Sequence, residues 1–161
     1  LGVDPGLATM GWGVIESDGN RHRMLQYGTL GTPAGQAMPI RLRSIYSGVQ
    51  QLIETYNPDD IAFEELFFAR NVTTALSVGA ARGVAIAAAA QHSESIYEYT
   101  PMQIQQAVVG FGKAEKPPVQ MMVQMLLNLD DITRPDEAAD GPAVAITHAH
   151  SARSKALFKI Q

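Results

Sequence analysis

Leu1-Gly2-Val3-Asp4-Pro5-Gly6, running on to Gly11-Trp12-Gly13-Val14-Ile15, is the stretch around which the chain is organised. Leu1 to Val3 reads as a short buried strand, and Asp4-Pro5-Gly6 closes it with turn chemistry. Thr9 to Ile15 reads as a second strand, with Trp12 most simply a core residue. An acid at the tip of a buried strand is costly unless something cationic neutralises it. The rest of the chain is therefore read for other acids that could share one cation.

Asp18-Gly19-Asn20 is a hairpin signal, and Met24 to Leu30 reads as a third strand. Ile40, Leu42, Ile45, Val49, Leu52, Ile53 and Tyr56 recur at helical spacing, predicting a helix over 38–56 stopped by Asn57-Pro58. Ile61 to Leu66 reads as a strand with acids near its end. Asn71 is placed to cap an Ala-rich helix over 71–91. Ser95 to Tyr99 reads as a fifth strand, and Thr100-Pro101 opens a short helix. Gly110 to Pro117 reads as a loop. Pro117 to Leu127 reads as a helix whose Met121, Met122 and Met125 are expected to fill core. A last helix is predicted from Arg134-Pro135 to about Ser154. Hairpin strands followed by alternating helices and strands predict an α/β fold: a mixed five-stranded sheet flanked by helices.

The 161 residues predict one domain over 1–161, with 46% apolar and 17% charged residues excluding a disordered chain. A net charge of −4 argues mildly against a general nucleic-acid binder, without excluding one whose acids cluster on metal. The absence of cysteine rules out disulfides and thiolate chemistry and fits a reducing cytoplasm. No stretch is read as membrane-spanning and no signal peptide is visible; the missing initiator Met implies a trimmed or incomplete start.

Carboxylates stand where elements end: Asp4, the pair Glu64-Glu65, and the cluster Asp136, Glu137 and Asp140. Glu137 and Asp140 are three apart, Asp136 and Asp140 four apart, so either pair can share a helix face. Converging acids raise one another's pKa. Mg²⁺ or Mn²⁺ relieves this, because hard divalent ions favour oxygen ligands. Two such ions about 3.5–4 Å apart would support phosphodiester hydrolysis. The plainer alternative is that acids at helix starts complement the dipole. Phe63 pointing inward puts Glu64 on the other strand face, but spacing alone does not choose between Glu64 and Glu65.

These stretches, with Ala62-Phe63-Glu64-Glu65-Leu66-Phe67, Ala81-Arg82-Gly83-Val84-Ala85, Val108-Val109-Gly110 with Ala114-Glu115-Lys116, and Ala138-Ala139-Asp140 with Ala145-Ile146-Thr147-His148, resemble the RuvC family of Holliday-junction resolvases over nearly the whole chain. The resemblance implies a ribonuclease H-like single nuclease domain working as a homodimer with two Mg²⁺ or Mn²⁺ ions per active site. It implies symmetric nicking of like-polarity strands of four-way junction DNA, leaving a 5′-phosphate and a 3′-hydroxyl, with the RuvA–RuvB branch-migration complex as a further partner. Carried over by position, the catalytic and metal-binding acids are Asp4, Glu64, Glu137 and Asp140, with Asp136 a rival for the third place. The resemblance thus settles the choice towards Glu64.

Phe67 and Phe68 are the implied base-stacking aromatics, worth about 1–3 kcal/mol per base. Arg70, Arg82, Lys113 and Lys116 are the candidate phosphate contacts, Arg70 and Lys116 the better matched. Two departures stand out: Glu137 where aspartate is common, and Gly141-Pro142-Ala143 where Ala-Leu-Ala is usual. A proline inside a helix costs about 3 kcal/mol and clashes one turn back, at Ala138, so a kink is expected after the last acids. His92, His148 and His150 are expected to pack or to be exposed rather than to ligate metal. The Ala-rich helix is the expected dimer contact. Two other classes are an actin-like ATPase, for which the chain is too short, and a non-catalytic junction-binding homologue.

Overall fold

A computed structural model of the chain describes residues 1–65, 71–108, 119–131 and 136–161, with the side chains of 136 and 137 outside that description. In chain order the elements are β1 (Gly2–Asp4), β2 (Thr9–Ser17), β3 (His22–Gly31), α1 (Met38–Tyr56), β4 (Ile61–Glu64), α2 (Val72–Ala90), β5 (Ile96–Tyr99), α3 (Pro101–Val108), α4 (Val119–Leu126) and α5 (Asp140–His150). A 3₁₀ turn, Asp136–Ala139, leads into α5, and a second, Lys155–Phe158, follows it. The sheet runs β3-β2-β1-β4-β5. β1 pairs antiparallel with β2 and parallel with β4, which in turn is parallel to β5.

Local chemistry accounts for the boundaries. Asp18 accepts the backbone N–H of Asn20 (2.9 Å) and Arg21 (2.8 Å), and Gly19 takes φ +96, closing the β2–β3 hairpin. Helix α1 buries Ile45, Val49 and Ile53, each one turn apart, and Asn57 ends it in the left-handed region with its N–H on the Ile53 carbonyl. Asn71 caps α2 by accepting the Thr73 N–H at 2.9 Å.

Strand alternation sorts the side chains into two layers. Val3, Ile61, Phe63 and Ile96 face α1 and α2, in one core with Met10, Trp12, Val49 and Ala85. Ala62, Tyr97 and Tyr99 face α3, α4 and α5, in a second core with Val123, Val144 and Ile146. Helix α5 is the central element of that second layer, buried from Gly141 through Thr147.

Its approach to the sheet is unusually close. A Cβ on Gly141 would lie 2.3 Å from the Trp12 backbone, and one on Gly13 would lie 2.6 Å from Pro142. Glycine at 141 therefore lets helix backbone rest on strand backbone.

Three expectations are corrected. Pro142 causes no kink after the acids: α5 begins at Asp140, so the proline occupies its first turn, where the amide would have no intrahelical partner. The change of helix type falls before Asp140, and the helix ends at His150 rather than near Ser154. Met121 and Met125 do not fill core; they are 48% and 69% exposed. The inward stripe of α4 is Val119, Met122, Val123 and Leu126, and the other two methionines lie on its outer side. Helix α2, 19 residues with a mean hydropathy of 1.4, is long and apolar enough to cross a membrane by length and composition alone. Here it flanks a sheet, with Ala81, Ala85, Ala88 and Ala89 in the core.

Gly141→Ala is predicted to destabilise the protein by about 1–3 kcal/mol, the usual cost of forcing extra volume into a packed contact. In urea the midpoint should fall with the m-value unchanged. An unchanged midpoint would mean that α5 does not bear on β2 as described.

Candidate active site

Gly2 and Val3 pair with Ala62 and Phe63, so the register carried one step further sets Asp4 beside Glu64 at the ends of two parallel central strands. Because Val3 and Phe63 face α1 and α2, both acids face α5 instead. Asp140, the first residue of α5, is delivered to the same place by the contact of Gly141 and Pro142 with β2. Glu64 and Asp140 are the side chains near enough to Asp4 to set its ionisation. Glu65, one residue on, is exposed.

Two carboxylates that hydrogen-bond to each other must share a proton. Burial, then the hydrogen bond to Glu64 and that group's charge, push Asp4 up to about 8. Glu64 is also raised, by burial first; its bond with Asp4 opposes the shift and the charge of Asp140 adds to it. The described acids are not set as a ready-made cage: no group of three acid or histidine side chains among the described residues already converges on a metal position. Their chemistry still fits a hard divalent cation, being oxygen-only, partly buried and short of positive charge.

Other sequence candidates fall differently. Arg82 turns inward to an ion pair with Glu98 on β5, and its side chain is only 19% exposed. The backbone of Glu137 lies in the 3₁₀ turn before α5. Its side chain, and Phe67, Phe68, Arg70, Lys113 and Lys116, lie outside the described residues. His92 approaches the Pro58 carbonyl (3.3 Å), and His150 stacks on His22 with ring centres 4.9 Å apart.

His148 is packed but does more than fill space. Its Nδ1 meets the Tyr99 hydroxyl at 2.6 Å and its Nε2 meets Asp60 at 2.8 Å. Lys155 donates to the same Asp60 oxygen at 3.0 Å. Burial lowers the His148 pKa against the pull of Asp60, and burial pushes Tyr99 up to about 12. Asp60 is lowered, because bonds from His148 and Lys155 outweigh its burial. Sequence spacing held no sign of this chain, whose members are far apart along the polypeptide.

A pH dependence follows from Asp4. Its folded pKa lies above the ordinary value of 3.8, so between about 4 and 8 the folded state binds more protons than the unfolded state. The stability it contributes is present at the acid end and is lost as pH rises through 8. In chelator, Asp4→Asn should therefore raise the thermal midpoint at pH 8 and change it little at pH 5. Equal effects at both pH values would refute the shared proton.

The family model described as crossover junction endodeoxyribonuclease RuvC matches residues 1–148. A curated relative of that name from Alkaliphilus oremlandii is 52% identical over 161 residues, covering 100% of this chain and 98% of its own. Another, from Heliobacterium modesticaldum, is 54% identical over 151 residues, covering 94% and 93%. Among solved structures, Thermus thermophilus RuvC in complex with a Holliday junction substrate superposes with a TM-score of 0.87 at 35% identity, covering 94% of this chain and 93% of that one. The yeast mitochondrial Holliday junction resolvase shares the fold, with a TM-score of 0.62 at 14% identity over 93% and 78% of the two chains. The sheet is the ribonuclease H-like one, and the chain belongs to the RuvC family of crossover junction endodeoxyribonucleases.

Proposed function

We propose that residues 1–161 act as one nuclease domain that nicks like-polarity strands of four-way DNA junctions symmetrically, using divalent metal ions. The observation that carries this reading is the meeting of Asp4, Glu64 and Asp140 from two strands and a helix at one end of the sheet. Two Mg²⁺ or Mn²⁺ ions fit that donor set, and when bound they supply Lewis acidity and a lowered water pKa. Asp4, whose ionisation is coupled to both other acids, would hold the ions together with them. Glu64 and Asp140 flank it, and Glu137 is the fourth acid. The rigidity of the site comes from its supports: both strand ends are held in the sheet, and α5 rests directly on backbone.

The non-catalytic alternative loses its main argument, because Pro142 sits in the first turn of α5 without displacing Asp140 from Asp4. Phe67, Phe68, Arg70, Lys113 and Lys116 remain the proposed contacts to unpaired bases and phosphates. Arg82 is the weakest of the DNA candidates, its charge already spent on Glu98. The RuvA–RuvB complex is the proposed partner that brings junctions to the enzyme in the cytoplasm.

A homodimer on α2 suits a junction of near-twofold symmetry. Its buried residues are Ala75, Ala81, Ala85, Ala88 and Ala89, and Val72 and Leu76 are 74% and 70% exposed. Gly83, on the same stripe, has no atom within 4 Å of where its Cβ would be. A side chain there costs the isolated chain nothing but would hold two helices apart.

Asp4→Asn should reduce cleavage of a synthetic four-way junction in Mn²⁺ by at least about 100-fold, the scale of losing one electrostatic group from a reaction centre. Junction binding should persist; cleavage at the wild-type rate would remove Asp4 from the site. Gly83→Leu should raise or preserve the thermal midpoint, since glycine is a poor helix former, while shifting sedimentation from dimer to monomer mass. Retained dimer mass would place the interface elsewhere.

A further inference from the structure

On the face of the sheet opposite α5, the turn that follows Asp4 and the first turns of α2 enclose a cleft of about 410 Å³. Leu7, Ala8 and Val78 give it aliphatic walls, Thr74 and Ser77 bring hydroxyls, and Arg41 brings a cation. No acid lines it.

Arg41 is held there by neutral groups. Its Nε donates to Thr32 Oγ1 at 2.9 Å, and one terminal nitrogen reaches the Thr32 carbonyl at 3.4 Å. Thr32 is buried and fastens the turn after Asp4: its hydroxyl donates to the Leu7 carbonyl at 2.5 Å and its N–H to the Ala8 carbonyl at 3.0 Å. The other cationic side chains tethered through ion pairs among the described residues sit on carboxylates: Arg23 on Glu16, Arg82 on Glu98, Lys155 on Asp60. Arg41 has no carboxylate partner among the described residues, though it is half-buried and oriented. A partly desolvated guanidinium with unspent donors in a fixed fork is suited to an anion with paired oxygens. The cleft adjoins the acid site through the turn itself, and its aliphatic walls suit a sugar.

We propose that this cleft seats one sugar–phosphate unit of a junction strand, with Arg41 as its phosphate contact and Thr74 and Ser77 as neutral hydrogen-bond partners. The assignment rests on the junction-nuclease reading above and adds to it a backbone subsite on the α2 face.

The test is the salt dependence of binding to a synthetic four-way junction, measured in chelator with the full chain. Arg41→Gln should lower the slope of log affinity against log salt by about 0.7–0.9, the value of one phosphate contact, while Arg41→Lys restores it. The double variant Thr74→Val/Ser77→Ala, which leaves the Arg41–Thr32 bonds intact, should weaken binding several-fold without changing the slope. A folded Arg41→Gln protein with the wild-type slope would overturn the proposal and leave Arg41 only a brace for the turn. If Arg41→Gln does not fold, the double variant decides: unchanged affinity overturns the subsite. A wild-type chain that neither prefers junction to duplex nor cleaves it would instead sink the nuclease reading, a result that no variant is needed to recognise.

Discussion

Three carboxylates that repel one another are kept together because the backbone around them has nowhere else to go. Asp4 and Glu64 close adjacent parallel strands whose other face is committed to the α1–α2 core. Asp140 arrives with α5, whose first turn lies against β2 so closely that glycine is the residue that fits at 141. Like charges at such range cannot all be ionised, and the protein answers by keeping a proton on Asp4. The same arrangement makes the site costly in the absence of a cation. Folding free energy from two apolar layers is thus the source of the site's electrostatic tension.

Helix α5 is fixed at both ends. Its beginning is set by Gly141 and Pro142 on β2, and its end by His148, tied to Tyr99 on β5 and to Asp60 just before β4. Asp60 in turn holds Lys155 beyond the helix. The polar chain and the close backbone contact act on one rod, so a shift at either end would move Asp140 relative to Asp4. On the far face of the sheet, Thr32 and Arg41 brace the turn after Asp4 in a comparable way. The proposed catalytic acids Asp4, Glu64 and Asp140 therefore sit on braced elements.

Much of this was legible in the residues because it depends on local periodicity. Helix α1 matched its apolar spacing from Met38 to Tyr56, and Asn71 was recognisable as a cap. Asp4 was legible as an acid at the tip of an apolar strand. The preference for Glu64 over Glu65 needed either the family resemblance or the knowledge that Phe63 packs against α1 and α2. Where reading failed, the missing information was three-dimensional. Met121 and Met125 were counted as core because methionine usually is, yet the helical stripe through Val119 and Val123 turns them outward. A helix starting at Arg134-Pro135 would put Pro142 in its interior, where proline kinks. Moving its start to Asp140 changes the same proline from a breaker to a first-turn residue. The His148–Asp60 and Arg41–Thr32 bonds join residues whose spacing obeys no motif, so nothing in the order of residues announced them.

On the proposed reading, one acid of the site carries a proton only until a divalent ion takes its place. Calorimetric titration of the metal-free protein with Mn²⁺ near pH 7, repeated in buffers of different ionisation enthalpy, measures that exchange directly. Binding should be accompanied by release of about one proton per chain, with the release lost in Asp4→Asn, as expected when ligands must be deprotonated to bind. Mn²⁺ binding with no proton released, or release undiminished in Asp4→Asn, would contradict it.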